Sequence, residues 1–304
     1  MDFKQLVTAT LLGLAVMPTQ AALSVFACEP EWADLVRALV PDADIHTATI
    51  AGQDPHYIEA RPSLIAAMRR ADMAVCTGAS LEAGWLPALI SRASNRDIQS
   101  GKPGLFFAAE QVPLHQPHEH VDRSMGDVHP EGDPHIHLDP DRVAAIVDAL
   151  ADRLVALAPD DKHGVRLRQR QWQVRWNLET ARWRQATENL EGMSVAVQHS
   201  TFSYLLRWLG VESAIDLEPK PGLPPSASHL SDVLSDPNLA KPKLILISTY
   251  QDKRPAQWLA NQTGLPVEVL PSTVTGQPET DSLAKLISHI INRLVQHQKA
   301  ADHG

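Results

Sequence analysis

Short apolar segments alternate with amphipathic ones over residues 22–110. The apolar runs centre on Val25, Ile45, Val75 and Phe106, and their length and β-branched or aromatic content are typical of buried strands. Apolar positions at helical spacing predict helices over 30–39, 61–70 and 81–91. Strands that alternate with helices in this way predict a parallel sheet with helices on both faces.

The same alternation returns after residue 190. Strands are predicted at 193–198, 211–217, 243–248 and 266–270, and helices at 202–209, 229–235, 255–263 and 282–297. The pattern therefore predicts a second α/β lobe. In such sheets ligands bind beyond the carboxyl ends of the strands, and a cleft between two lobes is a natural binding place.

A helical region separates the two lobes. Residues 141–157 and 161–190 have helical spacing, and the second stretch carries one apolar stripe, formed by Val165, Trp172, Trp176, Trp183 and Leu190. We predict an α/β protein of two lobes, each a parallel sheet flanked by helices, joined by one long helix. The expected boundaries are 22–140 for the N-terminal lobe, 141–190 for the spine and 191–304 for the C-terminal lobe.

The first 21 residues have the pattern of an export signal. Lys4 gives a positive start, residues 6–17 are apolar, and residues 18–21 offer a small-residue cleavage site. The apolar run is shorter than the roughly 20 residues that span a bilayer. We therefore expect export to the periplasm with cleavage near Ala21.

The net charge of −9 argues against nucleic acid as a partner.

Two cysteines each end a strand-like run. Cys28 follows LSVFA and Cys76 follows DMAV. In neighbouring parallel strands the two ends lie side by side within disulfide reach, and an exported protein meets oxidising conditions. We predict a disulfide between Cys28 and Cys76, with two buried free thiols as the alternative. A lipid-modified Cys28 fits less well, because this cysteine lies inside the strand-like run.

Histidines are concentrated in one stretch. Six of the fourteen fall between residues 115 and 137, among Asp, Glu, Gly and Pro. They are His115, His118, His120, His129, His135 and His137. Neutral imidazoles offer lone pairs, so dense histidine with carboxylates is typical of metal binding. A solvated loop that happens to be rich in histidine is the alternative.

Three histidines stand where predicted strands end or where a loop returns to the fold. His56 follows the second strand, His135 precedes the spine, and His199 ends the first strand of the second lobe. Each alone would suit a polar residue at a strand end. Together they predict a site in the cleft, because three imidazoles suit Zn²⁺.

Four short segments give the chain a family resemblance. They are DPH at 54–56, DPHIHLDP at 133–140, QH at 198–199 and EPKPGLPPSASHL at 218–230. Their order and spacing resemble the periplasmic solute-binding proteins of zinc and manganese ABC transporters, in which a helical spine joins two lobes.

The resemblance implies a function and a ligand set. His56, His135 and His199 would bind the metal, and residues 115–129 would form the mobile His-rich loop of zinc-specific members. The chain would deliver Zn²⁺, in preference to Mn²⁺, to an ABC permease in the inner membrane. We also expect a monomer, and a periplasmic metallochaperone as a further partner.

The fourth ligand is less defined by the sequence. The family often takes a carboxylate from the loop before the last helix, so Asp281 is the first candidate, Glu279 the second and Asp252 the third. Asp281 could instead oppose only the helix dipole. His115, His118, His120, His129 and His137 are auxiliary candidates. His137 would point to the same side as His135 if this segment is extended, and it could equally fill an aromatic's place.

Two other functions fit parts of the sequence. HIHLD at 135–139 matches the start of the HxHxDH pattern of metallo-β-lactamase-type hydrolases, but Pro140 stands where the next histidine is needed. The surrounding pattern is also α/β, so we expect no enzyme. A periplasmic metal buffer or chaperone without a transporter needs the same reversible capture, and the sequence leaves that alternative open.

Overall fold

The structure is a computed structural model, and it describes residues 22–118, 126 and 128–303. The predicted signal segment and His120 lie outside the described residues. No described helix has both the length and the apolar character needed to cross a membrane.

The N-terminal lobe, residues 22–139, is built on a four-stranded parallel sheet of order β2-β1-β3-β4. Its elements are β1 (Ser24–Ala27), α1 (Pro30–Leu39), β2 (Asp44–Thr47), α2 (Pro62–Arg70), β3 (Met73–Cys76), α3 (Leu86–Ala93) and β4 (Leu105–Phe107). Each helix has a proline in its first turn, where the missing N–H removes no helical hydrogen bond. Helix α3 starts later than the predicted 81, because residues 81–85 form turns and Trp85, the residue before the helix, has a non-helical φ of −140°.

The C-terminal lobe, residues 191–303, repeats this design with the strand order β6-β5-β7-β8, again parallel throughout. Its elements are β5 (Ser194–Val197), α6 (Ser203–Trp208), β6 (Glu212–Asp216), α7 (Ala227–Leu234), β7 (Ile245–Ser248), α8 (Arg254–Thr263), β8 (Val267–Leu270) and α9 (Leu283–His303). Strands β5 and β7 are buried along their whole length, as their unbroken apolar runs predict.

Two helices form the spine, α4 (Pro140–Leu157) and α5 (Lys162–Ala186), joined by a 3₁₀ turn at Pro159–Asp161. They run antiparallel, since Trp176 bonds to Pro140 at one end and Arg166 to Asp152 at the other. The predicted helix over 161–190 ends at Ala186, and a short 3₁₀ turn follows. The two parallel sheets and the long helix confirm the predicted fold class.

The apolar stripe of α5 is the centre of one core that joins both lobes. Trp172 stacks on Trp176 at 4.8 Å, and Trp183 meets Trp176 edge-on at 5.3 Å, both between ring centroids. The indole N–H of Trp176 donates to the carbonyl of Pro140, and that of Trp183 to Ser288 of α9. The polar end of each buried ring is thus satisfied.

The strand orders place a switch point beside the first strand of each sheet. The chain leaves β1 and β5 on one side and returns on the other, which opens a crevice at their carboxyl ends. In the N-terminal lobe this edge carries the predicted disulfide between Cys28 and Cys76, which is present with 4.7 Å between the Cα atoms. The two edges face each other, and the residues that follow the strands meet between the lobes.

The spine predicts a stability effect. Trp176→Ala should lower the free energy of unfolding by about 3–5 kcal/mol, because it removes a buried ring that touches two other indoles. Urea denaturation of the metal-free protein measures this. Val174→Ala, on the same helix but with a side chain 61% exposed, should change stability by less than about 0.5 kcal/mol. Equal effects of the two substitutions would contradict the assigned packing.

Candidate metal centre

Three histidines from separate parts of the chain meet between the lobes. His56 follows β2, His135 precedes the 3₁₀ turn at Ile136–Leu138, and His199 follows β5. They are 8%, 4% and 6% exposed. The ring centroid of His199 lies 5.3 Å from that of His135 and 6.1 Å from that of His56. The structure thus brings together the three histidines that the sequence singles out.

A carboxylate holds the Nδ1 atom of each of these histidines. Nδ1 of His56 lies 2.7 Å from Asp54, Nδ1 of His135 lies 2.6 Å from Asp133, and Nδ1 of His199 lies 2.9 Å from Glu218. A carboxylate accepts hydrogen bonds, so Nδ1 carries the proton and Nε2 keeps its lone pair.

The two Asp-Pro-His tripeptides build this arrangement locally. In each, one aspartate oxygen accepts the backbone N–H of the histidine two residues later, at 3.0 Å, and also its Nδ1–H. The intervening proline has no N–H to compete and restricts the backbone. Three consecutive residues therefore orient one imidazole before any tertiary contact forms.

Two of the Nε2 atoms left free by this arrangement are buried without a partner in the described part of the chain. Among the described residues, Nε2 of His135 and Nε2 of His199 have no hydrogen-bond partner although both atoms are buried. Buried polar atoms are nearly always paired, so two orphan lone pairs in one place indicate a missing electrophile. A metal cation is the electrophile that imidazole lone pairs bind.

A fourth histidine joins this group from the His-rich stretch. Nε2 of His129 lies 3.2 Å from Nε2 of His56, and their ring centroids are 5.2 Å apart. We call His56, His129, His135 and His199 the histidine group. The sequence suggested only an auxiliary role for His129, as part of a mobile loop.

Backbone contacts hold His129 in place by closing the neck of the loop. The N–H of Asp133 donates to the carbonyl of His115, and the N–H of His118 donates to the carbonyl of Pro130. Gly132 is required there, since a Cβ at this position would lie 2.5 Å from the His115 carbonyl oxygen and its φ is +123°. Ser80 donates to Glu131 from the neighbouring turn.

The histidine group is slightly wider than a closed metal shell. Tetrahedral imidazole ligands at about 2.1 Å from zinc place ring centroids about 5.3 Å apart. The pairs His56–His129 at 5.2 Å and His135–His199 at 5.3 Å fit this spacing, whereas the pair His56–His199 at 6.1 Å exceeds it. Of the described side chains, only Cys28, Cys76 and Glu82 bring three ligand atoms within 4.8 Å of one another, and the disulfide removes those cysteines as ligands. Metal binding thus needs a small contraction of the histidine group.

Two of the three predicted carboxylate ligands form ion pairs elsewhere, and the third is exposed. Asp281 pairs with Lys285 at 2.8 Å on the exposed side of α9, and Asp252 pairs with Arg254 on the surface. Glu279 is exposed. No contact described for these three residues joins them to the histidine group, so the structure gives no support to Asp281 as the fourth ligand.

Two other auxiliary candidates lie beside the histidine group. The ring of His115 stacks on Tyr204 at 4.7 Å between centroids. His118 is exposed and lines a cavity of about 540 Å³ that His129 and His199 also line. His120, the remaining loop candidate, lies outside the described residues.

Both ring nitrogens of His137 lie in contacts outside the histidine group, which favours the alternative that His137 fills an aromatic's place. Residues 136–138 form a 3₁₀ turn, in which positions two apart diverge around the axis. Nε2 of His137 lies 2.7 Å from the carbonyl oxygen of Ser272 and must donate to it. Its ring also meets Trp32 edge-on at 6.5 Å between centroids.

Burial and nearby charges give these histidines different pKa values. Burial lowers the pKa of His135 to about 4, even though Asp133 favours its protonated form. Burial, with His56 and His135 nearby, lowers the pKa of His129 to about 3. Burial also acts to lower the pKa of His199, but the hydrogen bond to Glu218 and nearby carboxylates outweigh it and raise that pKa.

The supporting carboxylates are the residues that reasoning from sequence missed. Asp54, Asp133 and Glu218 all lie in the segments that carried the family resemblance, yet only their histidines were singled out. The repeated Asp-Pro-His tripeptide was a usable signal for the two aspartates. Glu218 had none, because its pairing with His199 depends on β5 and β6 lying side by side.

Comparison with known proteins identifies the family. A profile of the family described as zinc-uptake complex component A, periplasmic, matches residues 25–297. The chain belongs to this family. This membership confirms the family resemblance seen in the sequence.

Similar curated proteins include zinc and iron binders. The chain is 23% identical over 232 residues to the zinc-binding lipoprotein AdcA of Streptococcus pneumoniae, covering 75% of this chain but 45% of that protein. It is 23% identical over 279 residues to the iron ABC transporter substrate-binding lipoprotein MtsA of Streptococcus pyogenes (86% and 81% covered). It is 24% identical over 237 residues to the high-affinity zinc uptake system protein ZnuA of Yersinia pestis (73% and 73%). The chain thus spans about half the length of AdcA.

Solved structures share the fold. A crystal structure of ZnuA superposes with a TM-score of 0.76 at 20% identity, covering 91% of this chain and 99% of that one. The periplasmic zinc-binding protein TroA of Treponema pallidum superposes with a TM-score of 0.74 at 19% identity, with the same coverage. At this identity the likeness establishes the architecture of this zinc-uptake component A chain, two α/β lobes on a helical spine.

The charges around His199 predict its titration in the metal-free protein. In an NMR titration the ring of His199 should titrate above the ordinary histidine pKa of about 6.5, and the rings of His129 and His135 well below it. Glu218→Gln should lower the pKa of His199, because the neutral amide accepts the same hydrogen bond without the negative charge. Glu179→Gln, on the spine surface, is the control and should leave it unchanged. Titration of His135 and His199 together near pH 6.5 would contradict the assigned environments.

Proposed function

We propose that this protein is a periplasmic high-affinity zinc-binding protein that delivers Zn²⁺ to an ABC importer, and that His56, His129, His135 and His199 bind the ion. One observation carries the proposal: within the described part of the chain, the Nδ1 atoms of three of these histidines are held by carboxylates, Nε2 of His135 and of His199 are buried without a partner, and Nε2 of His56 meets only Nε2 of His129. Carboxylate–histidine–metal arrangements of this kind orient ligands in zinc sites and raise their basicity.

The donor set favours Zn²⁺ as cargo. Four imidazoles give an all-nitrogen tetrahedron, which suits zinc, whereas manganese prefers more oxygen ligands and higher coordination. The iron named for MtsA and the manganese bound by a periplasmic protein of Candidatus Liberibacter asiaticus belong to those proteins. His129 replaces Asp281 as our fourth ligand, because His129 adjoins the histidine group and Asp281 pairs with Lys285.

A hydrolase is the less favoured function. Asp139, the third residue of the HxHxD match, accepts the backbone N–H groups of Asp141 and Arg142 and caps helix α4. His137 donates to the carbonyl of Ser272. Asp139 and His137 are therefore both used for structure, and Pro140 cannot bind a metal, so we propose no enzymatic step.

A zinc buffer without a transporter would use the same site, so transport needs its own test. The proposed partner is a permease of the inner membrane. We also propose that the protein is exported with cleavage near Ala21, acts as a monomer, and has a periplasmic metallochaperone as a further partner. In proteoliposomes that hold the cognate permease, the zinc-loaded protein should stimulate ATP-driven zinc uptake. A buffer would bind zinc equally well and leave uptake at the rate seen without it.

The site predicts which substitutions remove tight binding. Replacing His56, His129, His135 or His199 singly by Ala should lower zinc affinity by about 100-fold or more, since loss of supporting residues alone typically costs 10–100-fold. Competitive titration of the metal-free protein against a chelator measures this, with Mn²⁺ binding more weakly throughout.

Matched variants separate the histidine group from its surroundings. Asp281→Ala, Glu279→Ala and His115→Ala should each stay within about threefold of the parent affinity, because Asp281 pairs with Lys285, Glu279 is exposed, and His115 stacks on Tyr204. A large loss in Asp281→Ala, combined with parent-like binding in His129→Ala, would assign the fourth place to the carboxylate.

Zinc affinity should depend on pH through His199. Metal binding requires the neutral imidazole, and the pKa of His199 is raised, so affinity should fall as the pH drops through that value while His129 and His135 stay neutral. Glu218→Gln should move the fall to lower pH. A pH profile that the Glu218→Gln substitution leaves in place would rule out His199 as the group that controls it.

A further inference from the structure

A buried polar contact joins the lobes next to the histidine group. Nε2 of His137 donates to the carbonyl of Ser272 at 2.7 Å, and Nδ1 of His137 lies 3.5 Å from a carboxylate oxygen of Glu31. The other oxygen of Glu31 accepts the hydroxyl of Thr273. Glu31 lies on α1 of the N-terminal lobe, whereas Ser272 and Thr273 follow β8 of the C-terminal lobe.

We propose that two hydrogen bonds, from His137 to Ser272 and from Thr273 to Glu31, form a bridge between the lobes that holds the metal-binding histidines at their spacing, so that His137 retains bound zinc as a positioning residue and not as a ligand. This inference rests on the proposed zinc site. In this proposal His137 is neither a ligand of a hydrolase metal site nor an auxiliary zinc ligand.

The position of His137 in the chain couples the bridge to the site. His135 and His137 flank Ile136 at the start of one short 3₁₀ turn. The turn is fixed to the C-terminal lobe on both sides, because Asp133 accepts hydroxyl hydrogen bonds from Ser203 of α6 while His137 donates to Ser272. The spacing of His135 from His199 therefore depends on these contacts.

Because the bridge is buried, it favours one relative position of the two lobes. Glu31, His137 and Ser272 are all buried, so a displaced lobe would leave their polar groups unpaired away from water. A cavity of about 30 Å³ lies between the bridge and the site, lined by His135, His137 and Thr273 among others. The bridge and the site thus border the same small space.

The bridge also explains why the histidine group is nearly assembled without a metal. Ring centroids 5.2–6.1 Å apart need only a small contraction to bind zinc. A carrier whose lobes are already held close releases its ion slowly, since opening the site must first break buried hydrogen bonds. Loss of the bridge should act mainly on the zinc dissociation rate.

His137→Phe and His137→Gln form the decisive pair of variants. Phe keeps a ring against Trp32 but cannot donate to Ser272, whereas Gln can restore that donor. We expect His137→Phe to raise the zinc dissociation rate about tenfold, as loss of one buried hydrogen bond would, and His137→Gln to return it to within about threefold of the parent. Stopped-flow chelator competition measures the rates.

The absorption spectrum of the Co²⁺-loaded protein separates positioning from ligation. The visible bands report the number and type of ligands, so they should be the same in the parent and in His137→Phe. Thr273→Val, which keeps His137 and removes only the hydroxyl to Glu31, should also speed zinc release and serves if His137→Phe does not fold. His163→Phe, at the exposed start of α5, is the surface control.

The outcomes are distinct. Parent-like release from both His137→Phe and Thr273→Val would overturn the bridge while zinc binding by the parent protein stands. A changed Co²⁺ spectrum in His137→Phe would make His137 a ligand and also overturn it. Failure of the parent protein to bind zinc would instead overturn the proposed function.

Discussion

The hydrogen bond from a histidine Nδ1 to a carboxylate is the interaction on which the site depends. It fixes the tautomer, turns Nε2 toward the space between the lobes, and surrounds that space with negative charge from Asp54, Asp133 and Glu218. Buried Nε2 lone pairs without partners are costly in a metal-free protein. The fold tolerates that cost where a cation can satisfy them.

The architecture supplies what the local motifs cannot. Each Asp-Pro-His tripeptide can orient one imidazole, but only the two facing sheet edges bring His56 and His135 to within ring-contact distance of His199. The continuous core around the tryptophans of α5 holds those edges in place. Polar contacts such as Glu31 with Thr273 then adjust the separation of the lobes close to the site. Apolar packing at the spine thus fixes the overall arrangement of the lobes, and hydrogen bonds at the cleft set their spacing next to the site.

Much of this structure was readable from the sequence, for identifiable reasons. The βα alternation predicted both sheets, strand ends predicted the Cys28–Cys76 disulfide, and His56, His135 and His199 stood out because each followed a strand or opened a helix. The positions of His129 and Glu218 beside the other histidines were not predicted. That of His129 depends on the backbone hydrogen bonds that close its loop, and that of Glu218 depends on the pairing of β5 with β6. The two alternatives for His137 could not be separated from the sequence, because the 3₁₀ turn at 136–138 is not visible in the pattern of apolar positions.

X-ray absorption spectroscopy of the zinc-loaded protein tests the central claim most directly. The account predicts four nitrogen neighbours at about 2.0–2.1 Å with the multiple-scattering signal of imidazole rings, falling to three such neighbours in His129→Ala. A first shell that combines three imidazoles with a carboxylate oxygen, unchanged in His129→Ala, would contradict it.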